Sequence, residues 1–122
     1  MQVISKRTLD ATANDKRYMA IAKDLAAWYR VAKSAKWEKL LDVQQPYPKA
    51  EAVPVGNDVY TVFNIRHNEF RLVVKIIYAS KKIFVKHVIT HAEYDRDEWK
   101  RSLKKEQDER RRGAKASGRR HI

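Results

Sequence analysis

Three apolar runs follow one another with almost nothing between them: residues 59–66, 70–78 and 83–90, rich in Val, Ile, Phe and Tyr. Side chains of that kind suit a pleated, half-buried surface. The links, residues 67–69 and 79–82, are short and polar, so the runs read as consecutive hairpin strands. An antiparallel three-strand meander is the expectation, and every other element has to pack on it. Because successive side chains alternate, Phe70, Leu72, Val74, Ile76 and Tyr78 share one face, read as core. Arg71, Val73, Lys75 and Ile77 share the other, which is mixed.

Before the meander, residues 2–5 read as a short edge strand and residues 6–13 as a weak helix. From Lys16 onward Tyr18, Ile21, Ala22, Leu25, Trp28, Tyr29 and Ala32 recur at spacings of three and four, which predicts an amphipathic helix to about Ala35. Trp37, Leu40 and Leu41 point to a further apolar contact. Pro46, Pro48 and Pro54 then forbid regular helix through 44–56, a stretch read as a long connecting loop that a turn of helix could precede. After the last strand, Thr90, His91, Ala92 and Glu93 fit a capping box, so a helix is expected from His91 through Trp99 and Leu103. Gly, Ser, Ala and clustered Arg over 113–120 read as a disordered basic tail. The class is α+β: N-terminal helices on an antiparallel sheet over residues 1–103, with a C-terminal helix and a flexible basic extension over 104–122.

Charge narrows the partner. The chain carries 27 Lys and Arg against 15 Asp and Glu, a net charge of +12. Residues 100–122 hold 10 basic and 3 acidic side chains of these, so more than half of the excess sits in the last fifth of the chain. A polyanionic partner is the natural reading. With no Cys, thiolate catalysis, disulfides and cysteine-type zinc sites drop out. Three glycines leave no phosphate-cradling loop, and HAEYD alone is a weak metal signal. The opening MQVISKRTLD lacks the apolar segment of a secretory signal, and no run is long enough to span a bilayer, so a cytoplasmic protein is expected.

What remains are His, Arg, Lys and Tyr, which together can cut RNA without a metal. That reaction needs a base for the 2′-hydroxyl, cations for the charge on phosphorus, and a proton donor for the leaving oxygen. Arg71 lies in the apolar FRLVV, and its planar fork matches a phosphate at two points. Lys75 lies on the same strand face, roughly 13 Å away, and would meet a neighbouring phosphate; its plain alternative is a solvated strand residue. His91, at the first helical position, sits at the positive end of the helix dipole, which favours neutral imidazole, beside backbone N–H groups able to receive a phosphate. Tyr94 and Asp95 follow on about the same helix face. An exposed or packing role is the alternative for His91, and a core aromatic for Tyr94. His87, in a strand with Ile83, Val85 and Ile89, reads as partly buried structure.

The stretch VFNIRHNEFRLVVKIIYASKKIFVKHVITHAEYDRDEW resembles the signature region of the HigB family of toxin mRNA interferases, within the wider RelE-like group. Asn64, Asn68, Arg71, Thr90, His91, Tyr94 and Asp95 carry the match. VISKRTL at 3–9 and AWYRVAKSAKW at 27–37 resemble the family's opening helices, so the likeness covers about residues 3–99. It implies a RelE-like microbial ribonuclease fold and metal-independent cleavage of mRNA in the ribosomal A site, with no cofactor. It also implies a helix-turn-helix, HigA-like antitoxin through which alone operator DNA would be bound. Arg71 is carried over as phosphate contact and His91 as acid or base, with Tyr94 next. Lys75, Asn68, His67, Arg66 and Lys86 are accessory RNA-binding candidates. Lys75 is not a fixed family position, and Arg66 with His67 replaces what is often a glycine-rich turn. A non-catalytic basic module that blocks translation by occupying RNA is the competing expectation.

Overall fold

The computed structural model describes residues 1–5, 8, 9, 15–67 and 69–119, apart from the side chains of Arg17 and of 114–119. The strands are β1 (Gln2–Ile4), β2 (Glu51–Val55), β3 (Asp58–Ile65), β4 (Phe70–Ile77) and β5 (Lys82–Thr90). A 3-10 segment (Lys16–Ile21) leads into α1 (Ala22–Ser34); α2 (Leu40–Val43), α3 (His91–Asp95) and α4 (Glu98–Arg119) complete the set. Most of the weak helix expected over 6–13, residue Asn68 and residues 120–122 lie outside the described residues.

The meander is present as β3–β4–β5, within two residues of the expected ends. It sits inside a five-stranded sheet of order β1-β5-β4-β3-β2. Two features correct the sequence reading. The sheet is mixed, since β1 joins the far edge in parallel with β5, Val3 opposite Ile83. And the proline-marked loop contains β2, paired antiparallel with β3 from Glu51↔Val62 to Val55↔Asp58. Pro54 is compatible with this because β2 is an edge strand, where a missing N–H leaves no ladder bond unmade.

Both sheet faces are covered. On one, Tyr18, Ile21, Leu25, Trp28 and Ala32 pack against Phe63, Ile65, Leu72, Val74, Ile83 and Val85. These are the periodic positions of the N-terminal helix meeting the alternate positions of the strands, which is why both patterns were readable. On the other, Trp99 and Leu103 of α4 close over Val55, Tyr60, Val62 and Val73. Between Val73 and Val74 the β4–β5 register slips, with His87 opposite the first and Val85 opposite the second, so Lys86 is an extra residue in β5. Such a bulge shifts the alternation: Ile83 and Val85 are buried before it and Val88 after it.

Helix α4 extends beyond the helix end expected near Leu103, continuing to Arg119. Residues placed by sequence in a flexible extension anchor it. Gln107 is buried, donating from Nε2 to the Val55 carbonyl and to the Tyr60 hydroxyl oxygen, both at 2.9 Å, while its Oε1 accepts from the Asn57 N–H at 3.1 Å. Gly56 makes room for this. Its φ is +61°, and a Cβ there would run into the Gln107 carboxamide.

Candidate active site

Strand β4 and helix α3 bring three polar side chains together where β5 ends. The capping box read from the sequence forms: the Glu93 N–H donates to Thr90 Oγ1 and the Thr90 N–H donates to Glu93 Oε1, both at 3.1 Å. Glu93 Oε1 also accepts from the Tyr18 hydroxyl at 3.3 Å, tying α3 to the N-terminal helical layer. The His91 N–H donates to the Glu69 carbonyl at 2.9 Å. Two of the amides expected to be free for a phosphate at this helix end are therefore already engaged. Arg71 stands beside this helix end, in contact with His91.

Arg71 is 7% exposed and is the second residue of β4, opposite Asn64 of β3 and Ile89 of β5. Its Nη2 lies 3.2 Å from His91 Nδ1, its Nη1 donates to the Phe70 carbonyl at 3.3 Å, and its guanidinium carbon stands 5.4 Å from the centre of the Tyr94 ring. A guanidinium has only donors, so this contact requires a lone pair on His91 Nδ1 and places the ring proton on Nε2. Nε2 faces Asp95 Oδ2 at 3.4 Å, which suits a donated proton and fixes the ring from its other side. The imidazole thus presents a basic nitrogen beside a cation.

Tyr94 stacks on Trp99, centroids 4.9 Å apart and planes 15° from parallel, while the Trp99 indole N–H donates to the Tyr94 carbonyl at 2.8 Å. Burial raises the phenol's pKa above its ordinary value of 10.0; Glu51 adds to this, Arg71 opposes it, and Asp95 and Asp97 add again. The phenol therefore stays protonated at neutral pH. Next to Arg71, Asn64 leads into a cleft of about 440 Å³ whose wall also includes Tyr47, Pro48, Lys49 and His67. Sequence reading missed Tyr47 and Lys49; the available signal was a tyrosine held between Pro46 and Pro48.

The accessory cations do not converge on this site. Lys75 is bound to Asp58 at 3.1 Å, farther along β4, and Asp58 also takes Arg110 of α4 at 3.3 Å. Lys86, on the bulge, is bound to Glu106 at 2.7 Å. Arg66 and His67 turn the chain with φ of +50° and +59°, the left-handed conformation for which glycine is the usual choice. Arg66 donates to the Ala20 carbonyl at 3.0 Å, and only His67 of this pair lines the cleft. Asn68 is outside the described residues. Among the described residues no group of three or more His, Asp and Glu is arranged to hold a metal ion, and no helix is long and apolar enough to cross a membrane.

Residues 21–97 match the family described as HigB toxin, the RelE-like toxic component of a toxin-antitoxin system. A protein of Escherichia coli named mRNA interferase HigB is 30% identical over 96 residues, which span 79% of this chain and 90% of the relative. A Shigella flexneri protein of the same name is 42% identical over 38 residues, 31% of this chain and 36% of its own length.

Proposed function

Since the chain belongs to the HigB family of RelE-like toxic components of toxin-antitoxin systems, we propose that it is an endoribonuclease that cleaves mRNA during translation, with Arg71, His91 and Tyr94 as its working groups. The observation that carries this reading is the Arg71–His91 contact, which sets a basic nitrogen 3.2 Å from a phosphate-binding fork. When a phosphodiester seats on Arg71, the guanidinium turns from His91 to the phosphate, which frees the Nδ1 lone pair to face the ribose 2′-oxygen. His91 takes the 2′-proton, the 2′-oxygen attacks phosphorus, and the bond from phosphorus to the 5′-oxygen breaks. Tyr94 supplies the proton that leaves with that oxygen. The products are a 2′,3′-cyclic phosphate and a 5′-hydroxyl, and Arg71 holds the charge that builds on the phosphoryl oxygens between. Asp95 is a positioning residue for the imidazole.

His91 and Asp95 are about half exposed, with side chains at 49% and 61%, so the site holds its substrate from one side only. Alignment of the 2′-oxygen with the leaving oxygen then falls to whatever presents the strand, which is why we assign the ribosome-bound mRNA as substrate in preference to free RNA. The fold is assigned as the RelE-like microbial ribonuclease fold, and the antitoxin partner as a helix-turn-helix, HigA-like protein that carries all contact with operator DNA. The cytoplasm is the compartment this assignment requires.

The test is mapping of RNA 5′ ends in a translating extract, with and without purified protein and beside His91→Ala. New ends at codon register that vanish in the variant are expected. Blocked translation with no new ends would replace cleavage by simple occupancy of RNA, a reading favoured by the charge of α4. New ends of equal yield on naked mRNA would remove the ribosome from the proposal.

A further inference from the structure

We propose that the outward face of α4 is a docking strip for the backbone of double-stranded RNA. The proposal rests on RNA being the partner class named above, but not on Arg71, His91 or Tyr94. It begins from a division of labour around the helix. The inward face is fully used: Trp99, Leu103 and Gln107 are buried against the sheet, Glu106 holds Lys86, and Arg110 holds Asp58. Arg101, Lys104, Lys105, Arg111 and Arg112 are exposed, and no described residue pairs with any of them. At about 100° per residue, Arg101, Lys104, Lys105 and Arg112 fall within an arc of roughly 100° on the far side from Leu103, with Arg111 at its flank. Asp108 is the acid that interrupts them.

Several observations select the occupant. The strip is a run of cations about 17 Å long at the rise of an α-helix, and a duplex presents on the order of ten phosphates over that length. It offers no stacking surface, since the aromatic residue of α4, Trp99, is 4% exposed and faces Tyr94. Single-stranded RNA is gripped by aromatic platforms as well as charge, whereas a duplex is read through its backbone and shape. The strip is also rigid, because the bonds of Gln107 to Val55, Asn57 and Tyr60 fix the helix on the β2–β3 turn. Finally, α4 begins just past the residues that match the HigB family, 21–97. Its first turn carries Trp99, on which Tyr94 stacks, so a duplex on the strip sets the distance and direction from which a single strand enters the site.

The experiment is fluorescence anisotropy of a blunt 16-base-pair RNA duplex over 50 to 200 mM salt with the full chain. One variant carries Arg101→Gln, Lys104→Gln, Lys105→Gln, Arg111→Gln and Arg112→Gln; a second exchanges Arg and Lys at the same five positions; a third is Arg71→Ala. At roughly 0.7 to 0.9 per neutralised phosphate, the glutamine variant should lose about 4 from the log–log salt slope. Wild-type affinity then falls on the order of 10²-fold more than the variant's across that range. The charge-keeping exchange should bind as wild type, and Arg71→Ala, which removes one phosphate contact, should lose no more than about 1 from the slope. An unchanged slope in the glutamine variant overturns the proposal, as does a single-stranded 16-mer binding as tightly as the duplex. Poly-L-glutamate competing on equal terms would make the strip a site for an acidic protein. Duplex binding that persists in a protein making no cuts would sink the nuclease reading alone.

Discussion

Replacing Arg71 by lysine keeps the positive charge and removes the fork. The guanidinium reaches the Phe70 carbonyl through Nη1 and His91 Nδ1 through Nη2, with its flat face toward Tyr94. An ammonium on a flexible stem cannot hold all three directions and grip a phosphate at two points. Losing the charged hydrogen bond that orients His91 before substrate binds costs about 1.5 to 3 kcal/mol, and reducing a two-point phosphate contact to one costs on the order of 1.5 kcal/mol more. Taking about 3 kcal/mol for the pair, single-turnover cleavage of translated mRNA should fall roughly 150-fold. The assay is toxin in excess over programmed ribosomes, with new 5′ ends counted against time. Thermal unfolding of the same preparation shows whether the loss is one of folded protein. If Arg71→Lys cleaves within about threefold of wild type, a point charge suffices at this position and the argument from the fork is wrong.

Tyr94→Phe removes the proposed donor but keeps the ring stacked on Trp99; cleavage should drop by about 10² to 10⁴ with the unfolding midpoint unmoved, and retained cleavage would transfer the acid role elsewhere. Thr90→Ala breaks the capping box that seats α3 and should cost about 1 kcal/mol in urea unfolding, with cleavage reduced as well because α3 carries both His91 and Tyr94. Leu103→Ala, at a side chain 1% exposed, should cost about 2 to 5 kcal/mol; a smaller loss would mean α4 is held by its polar contacts alone. Burial holds the His87 imidazole pKa below 6.5, Glu106 opposing and Lys86 assisting. As pH falls the unfolded chain takes up this proton first, so the stability His87 contributes is full above pH 6.5 and is lost as pH drops through its depressed folded value. His87→Gln should flatten the acid side of the stability–pH curve; an unchanged slope contradicts the burial argument.

The meander was legible because β3, β4 and β5 are long and alternate, and their links allow only hairpins. Strand β2 was not: Pro46, Pro48 and Pro54 punctuate its neighbourhood, and a proline within a five-residue run counts against a strand unless the run is known to be an edge, a fact that resides in the tertiary structure. The same holds for α4. Its second half has charge but little apolar periodicity, and the residue buried beyond Leu103, Gln107, is polar and satisfied by groups some fifty positions away. At the site, Arg71, His91 and Tyr94 were each singled out, and the structure brings them into contact. Lys75 is legible as a cation on the strand face of Arg71 and Lys86 as a cation of β5, but neither pattern reveals a partner: Asp58 and Glu106 are distant in sequence and adjacent in space.

The parallel pairing of β1 with β5 sets a clock. Gln2 is made some eighty residues ahead of its strand partner, Lys82. At about 5 to 20 residues per second the first strand waits several seconds for the strand it lies beside, and Thr90 and His91 arrive only as that partner is completed. A nascent chain therefore carries β1 without its neighbour through most of the sheet's synthesis, and it brings Arg71, His91 and Tyr94 together only once β5 and α3 have been made.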